Sequence, residues 1–452
     1  MPAPTPEAGG MGTGLLTTDF YQLTMLHAYY RAGMEEQAVF EFFCRRLPQN
    51  RGFLMAAGLA TLLEQLEDAR FSTEEIEWLR ASGDFPADIV DRFAAWRFTG
   101  DVDAVPEGTL IFNDEPILRV EAPIAEAQLI ETLVINHLHF QTLIASKAAR
   151  MVLAAPGTRL VDFGLRRAHS LEAGTHAARA AYLAGFDGTA TVSAGRRFGI
   201  PLTGTMAHSF VQAHDDEALA FLHFAEARPE RVIFLIDTYD TEAAARKVVA
   251  LAPDLQARGI ALRGVRIDSG DLAAHAFAVR QILDQGGLAD VGIIASGGLD
   301  EWKLRDLIAQ GAPVDVFGIG TSLTTSQDAA ALDCAYKLVA YAGTPRRKRS
   351  EGKQLWPGAK QVYRRLDAAG RLAGDLLTLK EEAADGEPLL KPVMRQGKRL
   401  PLPALEDSRA LASASLRSLP DGLRGLDSPM DYRPAISEGL LRLSAELAKT
   451  GH

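Results

Sequence analysis

The amino-acid sequence predicts an α/β protein in which an irregular α/β barrel is combined with an α+β domain built from the N- and C-terminal segments. Between about residue 157 and residue 335, apolar runs alternate with polar turns and helical stretches, and seven of the runs are candidate strands. Such alternation is typical of parallel strands joined by crossover helices, and this number suits a closed or nearly closed barrel. On either side, short strands and helices follow each other without this order.

Length and composition set the broad class of the protein. The chain has 452 residues, of which 47% are apolar and 23% charged, which is the balance of a globular protein with two or three domains. Its formal charge of -10 and its pI of about 5.6 argue against binding nucleic acid, because an acidic surface repels a phosphate backbone. A small anionic substrate in a local basic pocket is compatible with this charge.

Targeting signals and cysteines point to the compartment. Residues 1–14 lack the basic start and the apolar core of a signal peptide, so we expect a disordered tail. No run approaches the roughly 18 apolar residues of a membrane span, and we expect a soluble protein without a membrane partner. Cys44 and Cys334 form no Cys-x-x-Cys pair, so neither a disulfide framework nor a thiolate zinc site is predicted. A reducing cytoplasm fits this usage.

The α+β domain is predicted to span residues 15–135 and to be completed by the C-terminal segment 336–452. Its first part contains a helix, an alternating strand, a mostly helical stretch and short strands, at 19–32, 38–43, 64–96 and 101–120. The C-terminal segment contains candidate strands at 375–379 and 389–394 and candidate helices at 405–416 and 436–448. We interpret its basic stretch, residues 346–365, as a solvated loop or hairpin.

The barrel domain is predicted to span residues 136–335. A long helical pattern from Pro123 to Ala155 leads into it, and we interpret His137 and His139 on this helix as core or interface histidines. No acid or third histidine lies near them at the spacing of a metal site. The seven candidate strands of the barrel are 159–163, 189–192, 202–206, 232–236, 261–267, 291–295 and 315–319.

Three of these strands end in small polar turns. The turns close the runs Val265 to Asp271, Ile293 to Gly298 and Val316 to Thr321. Strand ends with exposed backbone N–H groups, one of them also carrying an arginine and two carboxylates, are suited to bind a phosphorylated sugar on a barrel. Alone, the charges of Arg266, Asp268 and Asp271 could equally neutralise one another at a strand end.

Two further strand ends carry side chains that could bind a ligand or take part in a reaction. Phe163 could stack on a planar ring, and the guanidinium groups of Arg166 and Arg167 could bind a carboxylate or phosphate, although a structural loop is the alternative. His208 follows the run Leu202 to Ala207 and is either a structural histidine or a nucleophile or acid/base. Dinucleotide, Walker A and His-Glu-x-x-His signatures are absent from the sequence.

Taken together, six motifs resemble those of the nicotinate phosphoribosyltransferase family, and the likeness runs from Thr17 to the C-terminal helices. In the family's order, the motifs are Thr18 to Gln22, Asp162 to Arg167, Gly204 to Ser209, Gly264 to Leu272, Ser296 to Gly298 and Gly318 to Ser322. The resemblance implies the irregular barrel of the type II phosphoribosyltransferases. It also implies that the pyridine nitrogen of nicotinate attacks C1 of phosphoribosyl pyrophosphate, which gives nicotinate mononucleotide and pyrophosphate.

The resemblance further implies cofactors and partners. ATP is a co-substrate, Mg²⁺ accompanies pyrophosphate or ATP, and His208 becomes a phosphohistidine. Tyr21 matches the tyrosine that reaches the nicotinate of the neighbouring subunit, which implies a homodimer with shared active sites. The sequence does not indicate metal ligands from the protein.

The same resemblance assigns the remaining site residues. The implied catalytic residues are His208, Asp268 and Arg266. The implied nicotinate residues are Tyr21, Phe163, Arg166, Thr205 and Arg266. The implied phosphoribosyl pyrophosphate residues are Asp268, Ser269, Ser296, Gly297, Gly298, Gly318, Gly320 and Thr321. A pyridine nitrogen is unprotonated near neutral pH and needs no general base, so the catalytic demand is the stabilisation of charge.

One position bears on the choice of substrate. Relatives that use nicotinamide carry an aspartate where this chain has Ala190, and an aspartate there would repel the carboxylate of nicotinate. The alternatives are a nicotinamide phosphoribosyltransferase, a quinolinate phosphoribosyltransferase, whose chains are shorter, and a non-catalytic homologue that binds the nucleotide. The string Val232 to Asp240 is similar to the strand and acidic loop of the small phosphoribosyltransferases, but it lacks their paired acids.

Overall fold

The computed structural model describes residues 14–350, 353–427 and 429–450, so the predicted tail at residues 1–14 lies almost wholly outside the described residues. The chain divides into two compact units. The first contains residues 1–142 and 331–452, and the second contains residues 143–330. The sequence-predicted boundaries of the barrel domain are residues 136 and 335. The first of the structural boundaries falls inside the helix Glu131–Ala154.

The first unit is an α+β structure around an antiparallel seven-stranded sheet. In sheet order, these strands are Thr344–Pro345, Asp333–Tyr341, Gln37–Arg46, Pro116–Pro123, Asp101–Ala104, Lys391–Arg395 and Lys398–Arg399. The sheet therefore contains strands from both ends of the chain, which confirms the prediction that the C-terminal segment completes it. Its core side chains include Phe40 and Tyr336, whose rings stack with centroids 4.9 Å apart.

The other elements of the first unit surround this sheet or form smaller sheets. A four-stranded sheet contains Glu387–Pro388, Lys360–Leu366, Leu372–Leu379 and Ala435–Ile436. Two two-stranded sheets pair Leu54–Met55 with Leu110–Ile111 and Arg349–Ser350 with Lys353–Gln354. The helices are Phe20–Ala32, Leu59–Glu67, Thr73–Ser82, Ala87–Ala95, Ile124–Leu129, Leu405–Ser418 and Glu438–Thr450, and Asp421–Leu423 is a 3₁₀ turn.

The second unit is a curled parallel half-barrel with helices between its strands. In sheet order, the strands are Gly188–Thr189, Arg159–Asp162, Val316–Ile319, Gly292–Ser296, Leu262–Ile267 and Val232–Leu235. The helices are Leu171–Ala184, Val192–Phe198, His208–Gln212, Glu217–Ala227, Thr241–Ala257, Leu272–Gln285, Glu301–Ala309 and Thr321–Thr324, and Leu165–Arg167 is a 3₁₀ turn. The predicted α/β class and the parallel strand order are confirmed.

Some predicted elements differ from the observed ones. The predicted strand 189–192 is short, because Val192 already begins a helix. The predicted strand 202–206 is reduced to one parallel bridge between Leu202 and Thr189. Beyond this bridge, Thr205 Oγ1 accepts from Arg266 Nη1 over 2.8 Å. The predicted helix 123–155 is two helices separated at Ile130.

The two histidines on the long helix have structural partners within the first unit. His137 Nε2 lies 2.9 Å from Gln65 Oε1, and the backbone N–H of Leu332 donates to His139 Nε2 over 2.9 Å. Burial lowers the pKa of His139. Both contacts agree with their interpretation as core histidines.

A buried ionic cluster lies in the second unit. Lys147 Nζ lies 2.6 Å from Glu301 Oε2 and 2.9 Å from Asp328 Oδ1. Arg150 Nε donates to the other oxygen of Glu301 over 3.1 Å. Glu301 opens the helix after the turn at Gly297, and Asp328 follows the helix Thr321–Thr324, so this cluster joins the chain segments behind two of the predicted phosphate turns. Among the described residues, the helices include none with the length and apolar character of a membrane span.

Candidate active site

The candidate site lies at the carboxyl ends of the parallel strands in the second unit. All the strands of a parallel sheet end at the same edge, so residues far apart in sequence meet there. The register aligns Ser296 with Gly318, Ala295 with Ile267, and Ile319 with Asp162. The residues that follow these strands therefore form one contiguous cluster.

Arg266 is the centre of this cluster. Its guanidinium donates from Nε to Ser296 Oγ over 3.0 Å, from Nη1 to Thr205 Oγ1 over 2.8 Å, and from Nη2 to Asp268 Oδ1 over 3.2 Å. Only 11% of the side chain is exposed. Three donors held in one plane fix the orientation of the fork, which is the geometry that binds a carboxylate or phosphate well.

Phe163 forms an aromatic wall beside this arginine. The guanidinium carbon of Arg266 lies 5.6 Å from the centroid of the Phe163 ring, within the range of a cation–π contact. Gly318 allows the ring to take this position, because a Cβ at residue 318 would lie 2.4 Å from Phe163 Cε2. A planar ring with an anionic substituent could therefore stack on Phe163 while its substituent contacts Arg266.

Asp162, at the end of the preceding strand, holds this loop in shape. Its carboxylate accepts from the backbone N–H of Gly164 over 2.8 Å and from Thr189 Oγ1 over 2.6 Å. Burial raises the pKa of Asp162, and these two hydrogen bonds oppose the rise. Asp162 is 1% exposed, so it acts as a structural support for Phe163 and Gly164.

Two aspartates flank the arginine on the other side. Asp268 Oδ1 accepts from Arg266 and from Ser296 Oγ. Asp237 Oδ2 accepts from the backbone N–H of Asp268 over 3.0 Å and from Ser269 Oγ over 2.6 Å. Each carboxylate thus has one oxygen held by protein donors. Asp237 Oδ1 is buried and makes no hydrogen bond within the described residues.

His208 faces the remaining oxygens of both aspartates. Its Nε2 lies 4.0 Å from Asp237 Oδ1 and 4.0 Å from Asp268 Oδ2, which is too far for a hydrogen bond. Its Nδ1 lies 3.1 Å from Thr238 Oγ1. The side chain is 39% exposed, and its Nδ1 is held beside Thr238.

The turns after two strands offer backbone donors. Among the described residues, the backbone N–H groups of Gly297, Gly298, Gly320 and Thr321 donate to no protein acceptor. Gly297 has a φ of +95°, and a Cβ there would lie 1.9 Å from the carbonyl oxygen of Asp268, so only glycine fits. Unpaired donors at adjacent strand ends are suited to an anion.

Some sequence-predicted residues are not part of this hydrogen-bonded cluster. Asp271 caps the helix Leu272–Gln285 by accepting from the backbone N–H of Ala274 over 3.1 Å, so it is a helix cap. Arg166 is exposed on the 3₁₀ turn after Phe163, and Ala190 is exposed after the strand Gly188–Thr189. Tyr21 belongs to the first unit, where its hydroxyl donates to Glu131 Oε2 over 3.2 Å. Burial and the Glu131 carboxylate raise the pKa of Tyr21 to about 12.

Three residues of the cluster are absent from the sequence-predicted site. Asp237 and Thr238 lie directly after the strand Val232–Leu235, within the string that resembles another group of phosphoribosyltransferases. Their position at a strand end is the signal that could have found them. Lys303 Nζ donates to the carbonyl of Gly298 over 2.7 Å and so places a cation at the turn. In the sequence, the only indication of this role is that Lys303 is close to Gly298.

The comparisons with known proteins agree with this geometry. Residues 16–139 match the nicotinate phosphoribosyltransferase (NAPRTase) N-terminal domain, and residues 158–351 match the nicotinate phosphoribosyltransferase (NAPRTase) family. The chain is 48% identical over 442 residues to nicotinate phosphoribosyltransferase pncB2 of Mycobacterium tuberculosis, covering 97% of this chain and 94% of that protein. It is 34% identical over 525 residues to the nicotinate phosphoribosyltransferase of Homo sapiens, covering 97% of each.

Solved structures give the same result. The crystal structure of human nicotinic acid phosphoribosyltransferase superposes with a TM-score of 0.84 at 31% identity, covering 96% of this chain and 100% of that chain. That of nicotinate-nucleotide pyrophosphorylase from Pyrococcus furiosus gives a TM-score of 0.73 at 25% identity, covering 91% and 99%. With two matching domains over most of its length and relatives above 30% identity, the chain belongs to the nicotinate phosphoribosyltransferase family.

Proposed function

We propose that this chain transfers the phosphoribosyl group of phosphoribosyl pyrophosphate to the pyridine nitrogen of nicotinate, which gives nicotinate mononucleotide and pyrophosphate for NAD biosynthesis. The observation that carries the proposal is the fixed guanidinium of Arg266, held between Thr205 and Asp268 and next to the ring of Phe163. This cluster brings together a guanidinium that can bind a carboxylate, an aromatic ring and a carboxylate that would bind the sugar. The names of the relatives support the same reaction.

The base would bind with one face against Phe163 and its carboxylate towards Arg266 and Thr205. Arg166, exposed on the turn after Phe163, would add a second positive charge. Ala190 contributes no negative charge, which favours nicotinate over nicotinamide. Tyr21 would contact the nicotinate of the neighbouring subunit in a homodimer. With its pKa raised to about 12, its phenol is protonated at neutral pH and acts as a hydrogen-bond donor and a stacking surface.

The sugar and its phosphate would bind along the strand ends. Asp268 Oδ1 is held by Arg266 and Ser296, and Oδ2 would accept from ribose hydroxyls. A carboxylate there also stabilises the positive charge that develops at C1 as pyrophosphate leaves. Ser269 lies next to it, and its hydroxyl is held by Asp237. The backbone donors at Gly297, Gly298, Gly320 and Thr321 would bind the 5-phosphate.

The chemistry needs no general base. The pyridine nitrogen carries its lone pair at neutral pH, so the new C–N bond forms as the C1–O bond to pyrophosphate breaks. The protein must orient the ring and offset the charges. Arg266 would offset the negative charge of the nicotinate carboxylate, and Asp268 would offset the positive charge that develops at C1. Because their mutual hydrogen bond fixes both side chains, little reorganisation is needed when charge develops.

Mg²⁺ would accompany pyrophosphate or ATP at this site. Mg²⁺ binds through one or two carboxylates together with substrate phosphates. The buried Asp237 Oδ1, which lacks a hydrogen bond within the described residues, and Asp268 Oδ2 offer two such oxygens. Among the described residues, no cluster of three or more candidate metal ligands occurs, so the phosphates would supply the remaining coordination. The ion would neutralise phosphate charge beside two carboxylates.

His208 would couple ATP hydrolysis to the transfer. With its Nδ1 protonated and donating to Thr238 Oγ1, its Nε2 would carry a lone pair, on a side chain that is 39% exposed. Nε2 would attack the γ-phosphorus of ATP, so that the P–N bond forms and the P–O bond to ADP breaks. Asp237 and Asp268 at 4.0 Å would stabilise the imidazolium character of the phosphorylated ring.

Product analysis tests this proposal. The full chain is incubated with phosphoribosyl pyrophosphate, Mg²⁺ and either nicotinate or nicotinamide, with and without ATP, and the nucleotide and pyrophosphate are quantified. We expect nicotinate mononucleotide and pyrophosphate in equal amounts, with more product when ATP is present. A kcat/KM for nicotinamide above that for nicotinate would contradict the proposed substrate. If neither base gave a nucleotide product, the result would support a non-catalytic homologue.

A further inference from the structure

The two cysteines of the chain, 290 positions apart in sequence, are paired in space within the first unit. They lie on adjacent antiparallel strands, Gln37–Arg46 and Asp333–Tyr341, where Cys44 is the register partner of Cys334. Side chains of directly opposed residues in an antiparallel pair project from the same face of the sheet. The sequence alone, which has no local cysteine motif, did not indicate this pairing.

Features on both sides fix this register. On one side, Phe43 is paired with Ala335, and both pack with Leu355 in a buried apolar cluster. On the other side, the register shifts by one residue between Cys44 and Arg46, so that Arg46 is opposite Asp333, and Arg45 Nη1 lies 3.0 Å from Asp333 Oδ1. A slip of the strands by one residue would expose Phe43 and break the ion pair, so the two cysteines are held opposite each other.

Backbone hydrogen bonds hold both cysteines in place. The N–H of Cys334 donates to Leu332 O over 2.9 Å, and the carbonyl of Cys44 accepts from the N–H of Asp114 over 2.8 Å. Directly opposed residues of an antiparallel pair have Cα atoms about 5.5 Å apart when they are hydrogen-bonded to each other and about 4.5 Å apart when they are not. Both separations lie inside the range of about 4.4–6.8 Å that a disulfide spans.

We propose that Cys44 and Cys334 form a reversible intramolecular disulfide when the protein meets a low-molecular-weight disulfide such as oxidised glutathione. Both are free thiols in this structure. The link closes the chain from residue 44 to residue 334 and therefore encloses the whole second unit, residues 143–330, in one covalent loop. This modification site is independent of the proposed function.

The difference in exposure sets the order of the two steps. Cys44 is 1% exposed, whereas Cys334 is half-buried and is the thiol that a reagent can reach. The thiolate of Cys334 attacks one sulfur of oxidised glutathione, so an S–S bond forms to Cys334 and one glutathione thiolate leaves. The thiolate of Cys44 then attacks Cys334 Sγ and releases the second glutathione. Two cysteine thiols lose two protons and two electrons, and the glutathione disulfide gains them.

Burial makes this reaction slow at neutral pH. It raises the pKa of Cys334 to about 11 and the pKa of Cys44 to about 12, so little thiolate is present. Because the thiolate is the nucleophile, the rate should rise about tenfold for each pH unit below these values. Slow, pH-dependent oxidation distinguishes this pair from an activated redox centre.

Mass spectrometry of the full chain tests the proposal. The protein is incubated with oxidised glutathione at mildly alkaline pH, its remaining thiols are blocked, and it is digested without reduction. We expect a Cys44–Cys334 linked peptide, a monomeric band that migrates faster without reductant, and full recovery of both thiols after reduction. A thermal midpoint above that of the reduced protein should accompany the link.

Two matched variants test the order of steps. Cys44→Ser should accumulate a stable glutathione adduct on Cys334, whereas Cys334→Ser should stay unmodified at Cys44 over the same time. The proposal fails if the parent chain shows no linked peptide, if it retains a stable glutathione adduct on Cys334, or if the disulfide joins two chains.

Discussion

Gly318 offers a direct test of the aromatic wall, because its role is steric and can be worked out from distances. A Cβ added at residue 318 would lie 2.4 Å from Phe163 Cε2 and 2.6 Å from Cδ2. Ordinary carbon–carbon contacts are about 3.5–4.0 Å long, so the ring must move by roughly 1 Å. The backbone of Gly318 does not have the positive φ that would itself oppose alanine.

A displacement of this size should lower activity with little loss of stability. A 1 Å misplacement of a positioning group can reduce the rate on the order of 10²-fold. For Gly318→Ala we therefore expect kcat/KM for nicotinate to fall by about 10- to 100-fold. The assay is initial-rate kinetics of nicotinate mononucleotide formation at saturating phosphoribosyl pyrophosphate, with thermal unfolding measured in parallel.

A double-mutant cycle separates a Phe163 effect from a general one. Phe163→Ala removes the ring that the new methyl group would displace. The double variant should then be no slower than Phe163→Ala alone, because both changes act on the same contact. Multiplicative losses in the double variant would refute the reasoning, as would a Gly318→Ala enzyme within threefold of the parent.

Three further predictions address other parts of the second unit. His208→Ala should abolish the ATP-dependent increase in product while some uncoupled transfer remains, and unchanged stimulation by ATP in a product assay would contradict the phosphohistidine. Lys147→Met should lower the free energy of unfolding by about 3–5 kcal/mol in a denaturant titration, because it removes a buried cation that lies 2.6 Å from Glu301 Oε2 and 2.9 Å from Asp328 Oδ1; a loss under 1 kcal/mol would contradict this. Burial, with two nearby arginines, lowers the pKa of His176 to about 4, so its contribution to stability is complete above pH 6.5 and lost as the pH falls towards 4. His176→Gln should flatten the fall in unfolding free energy over that window by about 3 kcal/mol, and an identical pH profile for the variant would show that another group titrates.

The sequence was sufficient to predict the fold class and most of the strand-end residues. Runs of apolar residues identify strands, and the parallel order places every strand end at one edge, which brings Phe163, Arg266 and Ser296 together. The element order alone carries this information, since parallel strands need crossover connections. The fold could therefore be predicted before any contact was known.

The lateral contacts could not be predicted in the same way. Asp237 supports Asp268 because the strand Val232–Leu235 lies beside Leu262–Ile267, and sequence proximity does not specify that neighbour. Asp271 shows the opposite relation between sequence and site. It is close to Arg266 in sequence, but it caps a helix by accepting a hydrogen bond from the N–H of Ala274. The spacing of charges along a strand end does not determine which of them share a site.

The arrangement around His208 gives a physical reason why ATP would affect the transfer reaction. Asp237 and Asp268 each have one oxygen held by protein donors, and their other oxygens lie at the same 4.0 Å from Nε2. A phosphoryl group on Nε2 would add nearly two negative charges beside these carboxylates, since the second pKa of a phosphate is about 6. That charge must be offset by a cation, and the proposed partner is Mg²⁺ with the bound diphosphate. Phosphorylation would therefore favour the substrate complex that brings the cation, and loss of the phosphoryl group would favour its release. The proposed coupling would depend on Asp268, because the carboxylate that lies 4.0 Å from His208 Nε2 is also the one proposed to bind the ribose.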